Sequence, residues 1–392
     1  MIRRSISSAF SPPSTVLTMS GLPAAPAGYL DAVGGLPMAG AVAAAYTRAS
    51  ELAWADPARL HHPGRQSALF LDTARASLAA GIAAATGSSI GAEQVFFAPN
   101  MRLASLWAAQ GFLGAPRFAA SAIETLALID GVSEAAPTLQ ILPVDERGAV
   151  IHPQRDDFGD PDSVVLAIQA ANVEIGTRQD LKALSAAGFR LLVDASQSLG
   201  RIPMSTDRSV LLVATSDWGG PAGVVVIAVQ AAARWSCPLP AVGGWIGGRA
   251  DVPAVVAAAT ALELTLPELQ TQSARQFALI DRLRVSIRAA IPDVAFAGDE
   301  QDRLPHILNC SILYVSGESL VIELDRRGYL VASGSACVAD SDRASHVLAA
   351  IGGFTGGNLR ISLPPDCSED TIDSFVDTLV EVVAQLRQGA GL

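Results

Sequence analysis

The chain has almost no lysine. Its 392 residues contain 27 Lys and Arg together, and Lys182 is the only lysine among them. Because an imine with a carbonyl compound needs a lysine amine, the position of this one residue decides whether such chemistry is open to the chain. An arginine-favouring codon bias in an alanine-rich sequence is the alternative explanation, but it accounts only for the exchange of lysine for arginine.

Basic clusters, long apolar runs and cysteine frameworks are also absent. The net charge of −11 and the pI near 4.9 argue against a nucleic-acid-binding surface. Apolar runs such as 254–262, which contains only Thr260 as a polar residue, are shorter than the roughly 20 residues that cross a bilayer. The four cysteines lack the spacing of a metal site or a disulfide framework. We therefore expect a cytoplasmic protein with no metal, nucleic acid or membrane partner.

Continuous apolar segments alternate with helical patterns. Segments 164–168, 191–193 and 210–213 are apolar at every position, and helical spacing covers 66–85 and 102–113. Apolar strands between helices are typical of a parallel sheet covered on both faces. The pattern predicts an α/β fold.

Three regions follow from this pattern. Residues 1–28 are rich in Ser, Pro and Ala and are expected to form a flexible tail, within which Met1 and Met19 are both possible starts. Residues 29–262 are expected to form the large domain, whose opening residues can pack with the small one. Residues 263–392 are expected to form a linking helix and a smaller C-terminal α/β domain. Its predicted elements are a helix over 266–290, strands over 306–314, 329–332 and 359–363, and helices over 319–327, 345–351 and from 368 onward.

Six collinear groups of motifs run through the chain. They are YLD at 29–31 with PM at 37–38, DP at 56–57 with His61 and GR at 64–65, ANVEIGT at 171–177, VDASQ at 193–197, GSAC at 334–337 with SHVL at 345–348, and LRISL at 359–363. In this order they resemble the cysteine desulfurase branch of the class V aminotransferases. That resemblance implies a fold type I pyridoxal phosphate (PLP) transferase architecture, with a mostly parallel seven-stranded-type sheet sandwiched by helices.

The resemblance also exposes a missing residue. In the family, a lysine before a glycine-rich turn holds PLP as a Schiff base, and segment 214–221 resembles that region with Asp217 at the lysine position. A carboxylate cannot form an imine, and it adds negative charge beside an anionic cofactor. The family lysine also moves protons, so nucleophilic and general-base roles would be lost together. The resemblance therefore implies that no covalent PLP is held here.

Other cofactor contacts of the family have changed as well. Pro99 replaces a donor in the phosphate turn, Thr125 stands where a histidine stacks on the ring, and Ala214 replaces a phosphate-binding hydroxyl. The segment that completes the neighbouring subunit's phosphate site is shortened to 243–249. Arg102 and Arg249 either form a new anion site near the lost phosphate contacts or are solvated arginines.

Several site residues of the family are retained, each with a structural alternative. Cys337 matches the sulfur-accepting cysteine in a loop of small residues, or it is only inherited. Arg360 matches the arginine that binds the substrate carboxylate, or it forms a structural ion pair. Asp194 and Gln197 match the contacts to the pyridine nitrogen and the ring hydroxyl, or they are satisfied polar residues at a strand end. Asn172 and His346 carry the same ambiguity.

Three functions remain open. The first is a degenerate desulfurase-like protein that acts in sulfur relay through Cys337, as a homodimer or as a heterodimer with an active paralogue, and passes sulfur to an acceptor protein. The second is a PLP-independent enzyme that binds an amino acid or carboxylate through Arg360 and uses Asp217 as base. The third is an active PLP-dependent cysteine desulfurase, in which Lys182 would have to reach the ring.

Overall fold

The computed structural model describes residues 25–114, 116–136, 138–152, 160–204, 209–334 and 345–391. Its helices are α1 (Gly40–Leu52), α2 (His62–Thr86), α3 (Met101–Gly111), α4 (Leu126–Ala135), α5 (Leu181–Ala186), α6 (Val252–Thr265), α7 (Leu269–Ala290), α8 (Gly317–Arg326), α9 (His346–Ala350) and α10 (Glu369–Gly389). Its strands are β1 (Val95–Ala98), β2 (Arg117–Ser121), β3 (Leu139–Leu142), β4 (Val164–Gln169), β5 (Arg190–Asp194), β6 (Ser209–Ala214), β7 (Val225–Val229), β8 (Ala241–Val242), β9 (Trp245–Ile246), β10 (Val294–Ala297), β11 (Ile307–Ile312) and β12 (Asn358–Ser362).

Strands β1 to β9 form a nine-stranded sheet in the order β3-β2-β4-β5-β6-β7-β1-β9-β8. We call this sheet and the helices that cover it the large domain. Strands β3, β2, β4, β5 and β6 are parallel neighbours, whereas β7 runs antiparallel to both β6 and β1. The short β8–β9 hairpin extends the sheet beyond β1. It occupies the region that the sequence marked as the shortened segment 243–249.

Helices cover both faces of this sheet, as the continuous apolar strands predict. Within β4, Val165 and Ala167 belong to the apolar core under α3 and α4. The alternate residues Leu166 and Ile168 belong to the core under α1, α2 and α6. Because successive side chains of a strand point to opposite faces, one short segment contributes to both cores.

The small domain is an antiparallel sheet of β10, β11 and β12. Its core combines apolar residues of β11 and β12 with Leu283 of α7, Leu324 of α8 and Phe375 of α10. The opening segment joins the same region through bridges from Tyr29 to Leu330 and from Asp31 to Ser362. The first described residues of the chain thus pack against the small domain, which is formed by its C-terminal part.

The predicted α/β fold with a largely parallel sheet is confirmed, and one local prediction is wrong. The helix expected over 266–290 is present as α7 from Leu269, after the 3-10 turn Leu266–Glu268 and a separate helix α6 that ends at Thr265. Residues 329–332 contribute isolated bridges rather than a strand. The helix containing Lys182 is capped by Asp180, whose Oδ1 accepts from the Ala183 N–H.

Two helical stretches are long and apolar enough to cross a bilayer by length and composition, namely α2 and the stretch Val252–Ala290. Polar residues are scattered along both, so neither stretch forms a long apolar run in the sequence. Leu71, Leu78 and Ile82 of α2 are fully buried in the large domain, and α6 is buried at most positions. These helices are consistent with the core helices of a soluble protein.

Candidate functional site

Polar side chains gather where the parallel strands of the large sheet end. Asp194 is the last residue of β5, and Asp217 lies in the 3-10 turn Thr215–Trp218 that follows the neighbouring strand β6. Gly219 closes this turn with φ of 83°, a conformation that glycine adopts without strain. The carboxyl ends of parallel strands are the usual ligand edge of an open α/β sheet.

Asp217 is held in a largely buried and charged environment. Burial raises the pKa of its carboxyl to about 6, against the attraction of Arg201, while Asp194 raises that pKa further and a hydrogen bond from Gln197 lowers it. Burial in turn lowers the pKa of Arg201, and Asp217 opposes this effect. The position expected for a lysine amine therefore holds a carboxylate with an arginine as its electrostatic partner.

Gln197 links Asp217 to His306. The distance from Gln197 Oε1 to His306 Nε2 is 3.2 Å. Because the Gln197 amide nitrogen donates to Asp217, its Oε1 is the acceptor, so the His306 Nε2 carries the proton. Burial lowers the pKa of His306 well below its usual range, which keeps the ring neutral. Gln197 was expected to face a ring hydroxyl. Here its amide nitrogen and its Oε1 both form hydrogen bonds with protein side chains.

Asp194 is tied into the sheet end. Its Oδ1 accepts from the Ser196 N–H at 3.0 Å and from the Ser196 Oγ at 2.6 Å. The same Oγ accepts from the N–H of Ala214, the last residue of β6. Burial raises the pKa of Asp194 despite these bonds. Through Ser196, Asp194 thus connects the ends of the adjacent strands β5 and β6.

Glu124 is a buried acid beside this centre. Its Oε2 accepts from the Gln169 N–H at 2.8 Å, and burial raises its pKa to about 8, with Asp194 raising it further. Neither Glu124, Arg201 nor His306 stood out in the sequence. Each acquires its role from neighbours distant in the chain, and no local motif marks such contacts.

Thr125 and Asn172 have structural contacts. Thr125 begins α4, where its Oγ1 accepts from the Leu128 N–H at 3.4 Å. Asn172 donates to the Ile123 carbonyl at 2.8 Å, and its Oδ1 accepts from two backbone N–H groups, at 2.9 and 3.0 Å. These bonds use both ends of the Asn172 amide.

Arg360 lies on β12 and pairs with Asp31. The distance from Arg360 Nη2 to Asp31 Oδ1 is 3.0 Å, and only 9% of the arginine side chain is exposed. Its Nε is buried without a hydrogen-bond partner among the described residues. Arg360 thus forms an ion pair with Asp31, and its contact with a substrate carboxylate stays a prediction.

The two arginines near the expected phosphate site point to other partners. Arg102, at the start of α3, pairs with Glu134 of α4, and Arg249 donates to the Trp54 carbonyl. At the same helix start, Asn100 accepts from the Leu103 N–H. Within one chain these arginines do not meet, and an anion site formed across a dimer stays a prediction.

Cys337 lies outside the described residues. Its loop leaves the described chain at Gly334, whose N–H donates to Asn358 Oδ1 at 2.9 Å, and rejoins it at Ser345, which caps α9. Burial raises the pKa of Glu174, which is attracted to Arg360 and His346. A Cβ on Gly334 would lie 2.4 Å from Glu174 Oε1, so this end of the loop tolerates only glycine without rearrangement.

These residues do not fit a covalently held PLP. Lys182 is exposed on α5 and lines a different surface pocket from Asp217. The centre instead gathers three buried carboxyl groups of raised pKa, on Asp217, Asp194 and Glu124. Within the part of the chain that the structure describes, no group of three His, Cys, Asp or Glu is placed to hold a metal ion.

Comparisons with curated proteins find cysteine desulfurases. The chain is 26% identical over 351 residues to cysteine desulfurase IscS of Dictyoglomus turgidum, an alignment that covers 85% of this chain and 88% of that protein. It is 32% identical over 239 residues to the cysteine desulfurase of Trichormus azollae, covering 57% of this chain and 60% of that protein.

Solved structures of this group share the fold. A NifS-like protein superposes with a TM-score of 0.78 at 23% identity, covering 91% of this chain and 99% of its own. The apo structure of cysteine desulfurase from Thermococcus onnurineus NA1 superposes with a TM-score of 0.74 at 16% identity, covering 91% and 95%. The Aminotransferase class-V family model matches residues 29–375. This chain therefore belongs to the class V aminotransferase family, and its curated relatives are cysteine desulfurases.

Proposed function

We propose that this protein has lost PLP-dependent desulfurase activity and acts as an accessory protein in sulfur transfer, with Cys337 as the sulfur carrier. The observation that supports the loss is Asp217, a carboxylate that accepts from Gln197 and faces Arg201 where the family has its lysine. No second lysine exists in the chain to take that place.

Charge strengthens this argument. PLP brings a phosphate and a ring oxygen, both anionic when bound, and Asp217 and Asp194 already repel each other at this centre. A cofactor would also need Gln197 to release the contacts it makes with Asp217 and His306. We infer that the chain holds no PLP as an imine.

Sulfur relay needs only a thiolate and a donor persulfide. The Cys337 thiolate attacks the terminal sulfur of the persulfide on an active desulfurase, the donor S–S bond breaks, and the donor cysteine leaves as a thiolate. One sulfur atom moves, a new S–S bond forms on Cys337, and no external oxidant or reductant is required. An acceptor protein then receives the sulfur by the same exchange.

The expected assembly is a dimer in the cytoplasm, formed with a second copy or with an active paralogue. A heterodimer would place Cys337 beside a working site. Size measurements on the purified protein, alone and mixed with an active desulfurase, distinguish these assemblies. A strictly monomeric protein that forms no complex with the desulfurase would argue against the relay.

The loss of the imine is tested by mixing the protein with PLP, recording the visible spectrum, and analysing the mass after borohydride reduction. We expect neither an aldimine band nor an adduct. An adduct on Lys182 would restore an active desulfurase as the function. In the variant Asp217→Lys, an adduct at position 217 would show that this residue is the main barrier to the cofactor.

The relay is tested by incubating the protein with an active desulfurase and L-cysteine, followed by peptide mass analysis. We expect one added sulfur on Cys337 and none in Cys337→Ser. Cys237→Ser is the matched control, because it removes a half-buried thiol and should leave loading intact. Unmodified Cys337 under conditions that load a known acceptor protein would refute the relay.

A second candidate is a PLP-independent enzyme with Asp217 as general base. The raised pKa of about 6 places this carboxyl near the range useful for proton transfer. However, the ion pair with Asp31 engages the carboxylate anchor that this hypothesis assigns to Arg360. An activity with an inflection near pH 6 that disappears in Asp217→Asn would support this candidate.

A further inference from the structure

A cavity of about 240 Å³ lies at the meeting point of the two domains, beside Asp217. It is bounded by the chain leading into α1, the turn after β6, the junction of α6 and α7, and the loop that follows β12. Arg360 is described but does not line this cavity, which is therefore distinct from the carboxylate contact that the family resemblance implies.

Most of the cavity wall is apolar. The larger apolar side chains that line it come from both domains and from the opening segment: Leu36, Val42, Leu199, Trp218, Leu264 and Leu363. Trp218 is held in place by its indole N–H, which donates to the Ala258 carbonyl at 3.2 Å. Such a wall favours a ligand with an apolar body, because burying it removes apolar surface from water.

Two opposite charges interrupt this wall. Arg201 and Asp217 both line the cavity and attract each other. Among the contacts of the described residues, no ion pair within 4.0 Å joins them, and the Arg201 Nη1 has no hydrogen-bond partner. Within the described part of the chain, neither charged group has a counterion in direct contact, and a ligand that carries both complementary charges supplies one to each.

The mouth of the cavity is acidic. Glu268 and Asp366 line it and are exposed, so three carboxyl groups and one guanidinium surround the space. A free carboxylic acid would be repelled by this excess of negative charge, and a simple amine would leave Arg201 without a partner. A molecule of zero net charge that presents a carboxylate and an ammonium group avoids both costs.

We propose that this cavity binds an amino acid with an apolar side chain, of about the size of leucine. Its carboxylate binds Arg201, its ammonium group binds Asp217, and its side chain lies among the apolar residues of both domains. Because the walls come from both domains, the ligand bridges them. The proposal needs no thiol and no cofactor, and it is independent of the sulfur relay.

The test uses calorimetry on the wild-type protein with leucine and three matched probes, each of which lacks one feature. They are 4-methylpentanoate, which lacks the ammonium group, 3-methylbutylamine, which lacks the carboxylate, and glycine, which lacks the side chain. We expect leucine to bind one to one and each probe to bind at least about 10-fold more weakly. If any probe binds as tightly as leucine, or if leucine does not bind, the proposal is wrong.

Variants assign the two charged contacts. We expect Arg201→Met and Asp217→Asn each to weaken leucine binding by about 10- to 100-fold. Asp302→Asn, which changes a carboxylate in a different pocket, should leave leucine binding unchanged. Circular dichroism establishes that each variant is folded. Should a cavity variant fail to fold, the comparison of probes on the wild-type protein still decides the proposal.

The pH dependence gives an independent readout. The groups that act on Asp217 are Arg201, Asp194 and Gln197, and together with burial they set its pKa at about 6. Leucine keeps both of its own charges around this pH, so its affinity should fall as the pH drops below 6 and Asp217 takes up a proton. Affinity that is constant from pH 5 to pH 8 would show that Asp217 does not bind the ammonium group.

Discussion

Asp31 and Arg360 form an ion pair across 329 positions of sequence, with 3.0 Å between Oδ1 and Nη2. It joins the opening segment of the described chain to β12 of the small domain. The Tyr29 hydroxyl, which donates to the Asp31 and Gly35 carbonyls, supports the same turn. The residue that the family resemblance assigns to substrate is therefore part of the framework of this chain.

Removing one partner of this pair should destabilise the protein. Asp31→Asn leaves the buried Arg360 without its counterion, and we expect the free energy of unfolding in urea to fall by about 2 kcal/mol. Arg147→Gln is the matched control. Arg147 Nη1 lies 3.5 Å from Asp299 Oδ2, and the arginine side chain is exposed. Arg147→Gln should lower the free energy of unfolding by less than about 1 kcal/mol. Equal losses in the two variants would contradict the structural role of Asp31.

Glu124 should make stability fall as the pH rises. Burial raises the pKa of this acid from 4.5 to about 8 in the folded protein. Between these values the native state holds a proton that the unfolded state has lost, so the stability is full below pH 4.5 and decreases up to pH 8. Glu124→Gln mimics the protonated acid. It should reduce the loss of unfolding free energy between pH 5 and pH 8 by about 2 to 4 kcal/mol. If the unfolding free energy, measured by urea titration at each pH, depends on pH equally in the variant and the wild type, groups other than Glu124 cause the loss.

The described cysteines should differ sharply in reactivity. Burial raises the pKa of Cys310 to about 12 and that of Cys367 to about 11, whereas Cys237 is only half-buried. At pH 8 the thiolate fraction of Cys310 is about one part in ten thousand. In a mass-spectrometric time course with iodoacetamide, Cys237 should react first and Cys310 only on unfolding. Early modification of Cys310 would contradict its burial.

Gly131 should be intolerant of a side chain. A Cβ at this position in α4 would lie 2.4 Å from the Arg102 carbonyl oxygen and 2.9 Å from the Leu106 nitrogen, both on α3. Gly131→Ala should therefore force α3 and α4 apart and lower the unfolding free energy by about 2 kcal/mol or more. Gly389→Ala is the control, since nothing lies within 4 Å of a Cβ at Gly389. Thermal melts that show equal effects would refute the close approach.

Much of the fold was predictable because it depends on local patterns. The apolar segments that became β4, β5 and β6 are continuous, and a strand buried on both faces requires that composition. The start of α10 is marked in the same local way, by the capping Ser368 and the acidic residues that follow it. Helix α6 was missed because its residues are apolar almost throughout, so no helical spacing of apolar residues marks it in the sequence.

The candidate site was predictable only in part. The motif series predicts the replacement of lysine by Asp217, because a motif preserves the position of a residue even after its chemistry has changed. The partners of the retained residues were not visible. Gln197 and His306 are 109 positions apart, and only the approach of the two domains brings the ring to the amide.

By itself, the sequence determined the α/β class and the order of the elements, and it predicts that no amine stands at the expected imine position. These depend on residue type and local periodicity, which are properties of short segments. Only the tertiary structure decided that Arg360 binds Asp31, that Asp217 faces Arg201, and that an apolar cavity opens beside them. The physical reason is that ion pairing, pKa and cavity shape depend on the distances between segments far apart in the chain. The packing of the two domains sets those distances.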